Sequence, residues 1–450
     1  MSLGKSRRCA AKRVLQRFHF FSWVWIALFA VALGAPQAFA QPKKKKKSRA
    51  AAVAVAATGA GAAAAASSHS KKKAAAAQGL QAEARLLQIY QQIGQGQTRP
   101  ALAAAEKLVA DHPNFALAQL VYGDLLVAQT KGIRAVGDVP EATVRAAPGV
   151  LTDLREESLM RIRALRERPA AGLIPANFVR LSQRNQHAIA VDASRARLYL
   201  FENTPQGLRL VADYYASVGK LGTDKNVEGD LKTPLGIYYV TNTLDPNSLK
   251  DLYGAGALPI NYPNPYDMRR GKTGSGIWLH GVPQDQFARA PKATDGCVAI
   301  SNPDLQDVLK RVEIRTTPVV ILPKIDWVNP AQSNADAAAF DRAFAAWRSA
   351  KQAGDLERTM AMYQGDFNSY GKTLADWRGI VSAEITKKRG NELKDVAVLH
   401  WVESPQSATM VVTFSEVPSG AVSGPTKRQY WLRSPATHNQ WKIFFEGIIG

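Results

Sequence analysis

The chain of 450 residues has only two cysteines, Cys9 and Cys297, and seven histidines. Cys9 falls in a segment that reads as a removable leader, so the mature protein has no internal disulfide. An unpaired thiol in an oxidising compartment has to be buried or put to chemical use. There is no Cys-x-x-Cys and no His-Glu-x-x-His, which excludes the common zinc frameworks. A phosphate-cradling glycine loop is missing as well, so neither metal nor cofactor is expected. Acid is missing from the first 78 residues, which hold six basic residues up to position 40 and nine more from 41 to 78. The net charge of +21 therefore belongs mostly to a tail, and a nucleic-acid-binding role loses its main support. Past residue 40 no apolar run is long enough to span a bilayer.

What is present begins with an export pattern. Lys5, Arg7, Arg8, Lys12, Arg13 and Arg17 precede the apolar stretch Phe20–Leu33, and Ala38-Phe39-Ala40 supplies small residues for cleavage. Residues 1–40 thus read as a signal peptide, the alternative being an uncleaved anchor, and the protein is expected in the periplasm or cell envelope. Residues 41–78 are almost entirely Lys, Ala, Ser and Gly, with too little apolar bulk to fold. They read as a disordered linker, a spacer that also allows loose, salt-sensitive attraction to anionic envelope surfaces.

Length predicts more than one domain. Residues 79–175 carry helical periodicity, with Leu86, Ile89, Tyr90 and Ile93 on one face, a second helix over 101–110, a third over 115–128 and a last one near 156–168. Pro113-Asn114-Phe115-Ala116 between two helices resembles a single tetratricopeptide unit. One copy makes no solenoid, so this region reads as a packing or homodimerisation element. Residues 186–324 are strand-rich, with alternating segments at 187–191, 197–201, 208–218, 236–242, 277–279 and 318–322. Residues 336–450 open with an amphipathic helix carrying Phe340, Phe344 and Trp347 and a second helix over 374–388. Four strands at 396–402, 409–414, 429–433 and 441–446 follow, an α+β pattern.

The chemistry concentrates in the middle block. Cys297 stands in Thr294-Asp295-Gly296-Cys297-Val298-Ala299, seventeen residues after His280 in Trp278-Leu279-His280-Gly281. A thiol becomes a nucleophile beside a base or cation, and histidine is the usual supplier. Cys297 is the expected nucleophile and His280 the expected general base and acid. Gly296 allows a tight bend, and the backbone N–H groups of Gly296 and Cys297 are the candidate oxyanion donors. Each residue alone also fits a bland role, Cys297 as a small buried hydrophobe and His280 as a satisfied core histidine.

Together with Glu228–Tyr238, the segment containing Thr233-Pro234-Leu235-Gly236, these motifs resemble the YkuD, or L,D-transpeptidase, family over about residues 186–324. The resemblance implies a mainly-β catalytic domain that acts on peptidoglycan stem peptides through an acyl-enzyme on Cys297, in wall synthesis or remodelling. Thr294, Asp295 and Gly281 become candidate substrate contacts, with a turn cap as the bland role for Asp295 and Thr294. Lys220, Arg269 and Arg270 are weaker candidates for substrate carboxylates. Many transpeptidases of the family have Arg two residues after the cysteine, where this chain has Ala299. The Thr-Asp-Gly-Cys-Val-Ala version is closer to the YafK-like branch and to the L,D-carboxypeptidases of helical cell shape. Amine transfer, hydrolysis of a terminal D-alanine and release of a wall-linked protein therefore stay open, as does a non-catalytic wall-binding scaffold. Trp347, Phe367, Tyr370 and Trp441 give the last region a resemblance to the NTF2-like fold, with Tyr363, Trp377, Tyr430 and Trp431 expected in its core or pocket lining.

Overall fold

The computed structural model describes residues 82–449 apart from 147, 333 and 388–390. The expected signal peptide and Lys/Ala-rich linker lie outside the described residues. No helix among the described residues is long and apolar enough to cross a membrane.

The chain opens with helices α1 (82–94), α2 (Thr98–Asp111), α3 (Ala116–Val127), α4 (Glu141–Ala146) and α5 (Val150–Arg166). Leu86, Ile89, Ala101, Ala105, Leu108, Leu117, Val121 and Leu125 meet in one buried cluster, the stripe that helical periodicity requires. Phe287, from far along the chain, completes that cluster. Short strands β1 (Ile174–Pro175) and β2 (Phe178–Arg180) lead into β3 (His187–Asp192), β4 (Arg197–Thr204), β5 (Gly207–Gly219) and β6 (Gly236–Tyr239). Next come β7 (Ala257–Pro259), α6 (Pro265–Arg269), β8 (Trp278–His280), β9 (Lys292–Thr294), β10 (Val298–Ile300), α7 (Asn302–Leu309), β11 (Pro318–Leu322) and β12 (Trp327–Val328).

Nine of these strands form one sheet in the order β6-β11-β3-β4-β5-β10-β8-β7, with β9 added on β5. Ile189, Val191, Leu198, Leu200, Val319 and Ile321 face one apolar cluster, which α7 closes with Leu305 and Val308. Ala188, Ala190, Tyr199, Phe201 and Val320 face a second cluster on the other side. Burial on both faces is why β3 and β11 are nearly continuous apolar runs.

The C-terminal part contains α8 (Ala335–Ala353), α9 (Leu356–Met360), the small pair β13 (Asn368–Ser369) and β14 (Lys372–Thr373), and α10 (Leu374–Lys387). It ends with β15 (Glu392–Ser404), β16 (Ser407–Val417), β17 (Thr426–Arg433) and β18 (Lys442–Ile448). The sheet order is β18-β17-β16-β15-β2. Strand alternation divides this sheet cleanly. Tyr430, Leu432 and Phe444 pack on the nine-stranded sheet, whereas Trp431 and Ile443 join Phe340, Phe344 and Trp347 beneath the helices.

Two features depart from the sequence reading. Strand β2 pairs with β15, Phe178 opposite Leu399, a contact between segments more than 200 residues apart that no local pattern announces. Strands β7, β9 and β10 have three residues each, too short for a period-two signal.

Candidate active site

Strand pairing brings the two principal residues together. Strands β8 and β10 are parallel neighbours, with Leu279 opposite Val298 and His280 opposite Ala299. Cys297 therefore sits at the level of Trp278, one strand away from His280 and two residues short of it. Thr294 ends β9, and Asp295, Gly296 and Cys297 form the turn into β10, so the cysteine is presented just before a strand start and the histidine at a strand end.

The turn holds its shape through its own side chains. The Thr294 hydroxyl donates to the Cys297 carbonyl at 2.7 Å and accepts from the Gly296 N–H at 3.2 Å. Thr294, not Asp295, is therefore the residue that caps the turn. The Asp295 carboxylate instead pairs with Lys220 at 2.8 Å on the surface. Gly296 has φ +128°, and a Cβ there would stand 2.8 Å from the Lys232 carbonyl, so only glycine fits without displacing backbone. Because the Gly296 N–H is taken, the Cys297 N–H is the member of the expected oxyanion pair left free, with no acceptor among the described residues.

The segment Glu228–Tyr238 supplies Thr233, fully buried under the turn. Its hydroxyl receives the Gly219 N–H at 2.9 Å and donates to the Cys297 carbonyl at 3.5 Å. The buried Lys225–Asp230 pair, at 2.8 Å, fixes the loop that leads into it. This ties the third motif to the cysteine through hydrogen bonds that the sequence reading did not assign.

His280 is 2 % exposed. Its Nδ1 donates to the Gly281 carbonyl at 2.6 Å, which leaves Nε2 with a lone pair. The Tyr253 ring stands edge-on to the imidazole, centroids 5.1 Å apart. A Cβ on Gly281 would collide with Asn302 Oδ1 and the Ala255 N–H. Gly281 thus permits a close backbone approach that aims the histidine. Asn302 makes that approach a clamp. Its Oδ1 accepts from the Ala255 N–H at 2.8 Å and the Val282 N–H at 3.1 Å, and its Nδ2 donates to the Val282 carbonyl at 2.8 Å. Neither Asn302 nor Tyr253 was singled out from sequence. The only available signal for Asn302 was its place in Ile300-Ser301-Asn302, at the start of α7.

The electrostatics keep the pair neutral. Burial lowers the His280 pKa to about 4, with the Arg289 charge adding to the effect. Burial also pushes the Cys297 thiol up, against the pull of a Trp278 N–H hydrogen bond to sulphur. Sγ is half-buried and donates to the Gly276 carbonyl at 3.5 Å. No thiol–imidazole hydrogen bond is found among the described residues. Both directions favour a neutral thiol and a neutral imidazole over a thiolate–imidazolium pair.

Of the weaker candidates, Lys220 is the surface partner of Asp295, and the two arginines lie elsewhere. Arg269 bonds Asp366 at 2.6 Å and Gln364 at 2.9 Å, and Arg270 pairs with Glu403 at 3.0 Å. Both fasten α6 to the C-terminal part. Tyr363, Trp377, Tyr430 and Trp431 are all buried.

A thiol and a neutral imidazole on adjacent strand ends, over a glycine turn, have the parts of a cysteine acyl-transfer site. Residues 186–321 match the YkuD family, the L,D-transpeptidase catalytic domain. This part of the chain belongs to that family. No curated protein matches the chain. Among solved structures, the chain is similar to Bd1075 of Bdellovibrio bacteriovorus, 26 % identical with a TM-score of 0.49, covering 61 % of this chain and 98 % of that one. It is also similar to the helical cell shape determining protein Pgp2 of Campylobacter jejuni, at 20 % identity and a TM-score of 0.46, covering 65 % and 99 %. An NTF-2 like protein of unknown function from Shewanella oneidensis MR-1 is 17 % identical, with a TM-score of 0.21, and covers 25 % of this chain and 98 % of that one.

Proposed function

We propose that the chain is an exported cysteine enzyme that cuts or transfers peptidoglycan stem peptides through an acyl-enzyme on Cys297, with His280 as general base and acid and an NTF2-like C-terminal domain. The observation that carries this reading is the buried, neutral imidazole with Nδ1 tied to the Gly281 carbonyl at 2.6 Å, one strand from a half-buried thiol. An imidazole held in that tautomer has its basic nitrogen free for the thiol proton.

The steps balance as an acyl transfer. His280 Nε2 takes the proton from Sγ, and sulphur attacks the carbonyl that joins an L-centre to a D-residue. The oxygen gains negative charge beside the Cys297 N–H, a donor of the kind worth about 3–4 kcal/mol at other acyl-transfer sites. Collapse breaks the C–N bond, and the imidazolium returns its proton to the leaving amine. Water or an amine then attacks the thioester, His280 takes its proton, the C–S bond breaks, and the imidazolium returns the proton to the Cys297 thiolate. A resting pair without a hydrogen bond is compatible with this sequence, because such contacts tighten when substrate displaces solvent.

One observation favours hydrolysis over amine transfer. The position two residues after the nucleophile holds Ala299, 2 % exposed and paired with His280 in the sheet. A small side chain buried there offers an acyl acceptor no charged contact. The reading that follows is L,D-carboxypeptidase activity, the release of a terminal D-alanine.

The test is mass spectrometry of purified tetrapeptide muropeptides incubated with the mature protein, beside Cys297→Ala. The expected result is loss of D-alanine with the native protein and a fall of about 10⁴-fold or more in the variant. A cross-linked or D-amino-acid-exchanged product would replace hydrolysis by transfer. No Cys297-dependent product would end the enzymatic reading and favour a wall-binding scaffold.

A further inference from the structure

Between His280 and β9, residues 281–291 form a loop whose backbone is fastened at both ends. The Phe287 N–H donates to the Asn114 carbonyl at 3.1 Å, and Asn114 Nδ2 donates to the Gln284 carbonyl at 3.1 Å. The Phe287 ring stacks on Phe115 at 4.2 Å and 23° and meets His112 edge-on, inside the apolar core of the N-terminal helices. Further along, the Tyr215 hydroxyl donates to the Arg289 carbonyl at 2.9 Å, and Ser217 Oγ donates to the Ala290 carbonyl at 2.6 Å. The Val218 N–H holds the Pro291 carbonyl at 2.9 Å. These bonds set the Arg289 backbone between the helices and β5.

The Arg289 side chain is left nearly unused. Its single hydrogen bond among the described residues is a long one, Nη1 to the Ala293 carbonyl at 3.4 Å, and its Nε is buried without a partner. Arg161 makes the contrast at every nitrogen, and Arg197, whose Nε is likewise without a partner, makes it through its carboxylate pairs. Arg161 is paired with Glu83 and Glu157, and Arg197 with Glu83 and Asp213. A guanidinium has five N–H groups in a fixed fork that fits a carboxylate, so a half-buried one with open donors is a built anion contact in search of its partner.

Its position selects the anion. The Nη1 bond to the Ala293 carbonyl sets the guanidinium beside β9, one residue before the Thr294–Cys297 turn, and its charge there favours the Cys297 thiolate and disfavours the His280 imidazolium. Arg289 also lines a cleft of about 410 Å³ with Ala290, Ala293, Phe115, Asp153 and Glu157. The N-terminal helices thus supply one wall of this cleft and the active-site loop the other.

We propose that Arg289 is a specificity-determining residue that binds the free carboxylate of the substrate peptide in this cleft, with the N-terminal helices holding it in place through Phe287. The assignment rests on the stem-peptide reading given above and narrows it to peptides with a free acid end near the scissile bond. A blocked or amidated end leaves the guanidinium without its partner, and the mismatch costs affinity.

The test uses the full mature chain with Cys297→Ala, so that binding is read without turnover. Calorimetry compares a tetrapeptide ending in D-alanine with its C-terminal amide, against Arg289, Arg289→Gln and Arg289→Lys. With Arg289 the acid is expected to bind about 10- to 100-fold more tightly than the amide, as for a hydrogen bond to a charged group. Arg289→Gln brings that ratio to near one, and Arg289→Lys restores part of it, which a general loss of loop structure would not do. Equal binding of acid and amide to the Arg289 protein overturns the assignment, as does an Arg289→Gln variant that weakens both equally, or no binding of either peptide. Turnover by the Cys297 enzyme is scored separately. Cys297-dependent product with an acid-to-amide ratio of one sinks the Arg289 role alone. Acid-selective binding through Arg289 without any product sinks the enzymatic reading alone.

Discussion

The two large sheets both bury ionisable groups, and they treat them in opposite ways. In the nine-stranded sheet, Cys297 and His280 sit in low-dielectric surroundings without a charged hydrogen-bond partner, and each is driven toward its neutral form. Beneath the helices of the C-terminal sheet, Lys427 meets Glu384, Glu416 and Glu446 within 3.0 Å. Lys351 joins Glu384 and Glu416, and Glu446 accepts from Tyr363 at 2.7 Å and Gln429 at 2.8 Å. Burial alone would raise the Glu446 carboxyl, but Lys427 and Lys351 outweigh it and hold the pKa at about 2. The three glutamates likewise raise Lys427 against its own desolvation.

Burial thus produces reactivity in one place and rigidity in the other, and the presence of countercharge decides which. A lone buried base keeps its lone pair available at neutral pH. In the ion cluster the countercharges favour the charged forms of Lys427, Glu384 and Glu446, and leaving any one of them unpaired is costly.

The comparison can be broken most sharply at Lys427. Lys427→Met would leave Glu416 and Glu446 buried with too little positive charge, and a loss of about 3–5 kcal/mol is expected. Chemical denaturation measures it. A change below about 1 kcal/mol would show that the cluster is hydrated and that the contrast is overdrawn.

The second measurement addresses the thiol. With Cys297 raised above its ordinary value of 9 and His280 neutral, iodoacetamide alkylation follows the thiolate fraction. It should climb about tenfold per pH unit across neutrality, with no plateau up to pH 9. A plateau between pH 6 and 8 would mean a thiolate–imidazolium pair, and Cys297 would then resemble the paired cluster.

The smallest effect concerns stability against pH. The His280 pKa falls from 6.5 to about 4 on folding, so between those values the unfolded chain binds more protons. Stability contributed by the neutral form is complete above pH 6.5 and is lost as pH falls toward 4, by about 3 kcal/mol in all. Denaturation series at several pH values should show a slope in the native protein that His280→Gln lacks. Identical slopes would place His280 in contact with solvent.

How much of this was legible beforehand depends on range. The Thr294-Asp295-Gly296-Cys297 turn and the His280-Gly281 strand end are local, and their residue types state their chemistry. The helices over 98–111 and 335–353 were readable because a buried stripe imposes a 3.6-residue period. Arg289 was not readable, because its significance is a missing carboxylate partner, and that shows only once the chain is folded. Asn302 was hidden for a related reason. Its side chain serves the backbone of Ala255 and Val282, residues from two other loops.

Residue type and spacing alone carried the chemistry: one thiol beyond residue 40, a histidine seventeen residues before it, a glycine turn, and apolar runs that must be buried on both faces. Tertiary structure alone decided which groups stay unpaired. Thr294 caps the turn while Asp295 turns to Lys220. The loop after His280 is locked by Phe115 in the N-terminal helices, and β2 leaves its sequence neighbours to finish the far sheet. Hydrogen-bond and charge partners are assigned by distance in space, and a linear pattern has no record of which donors and acids have already been used.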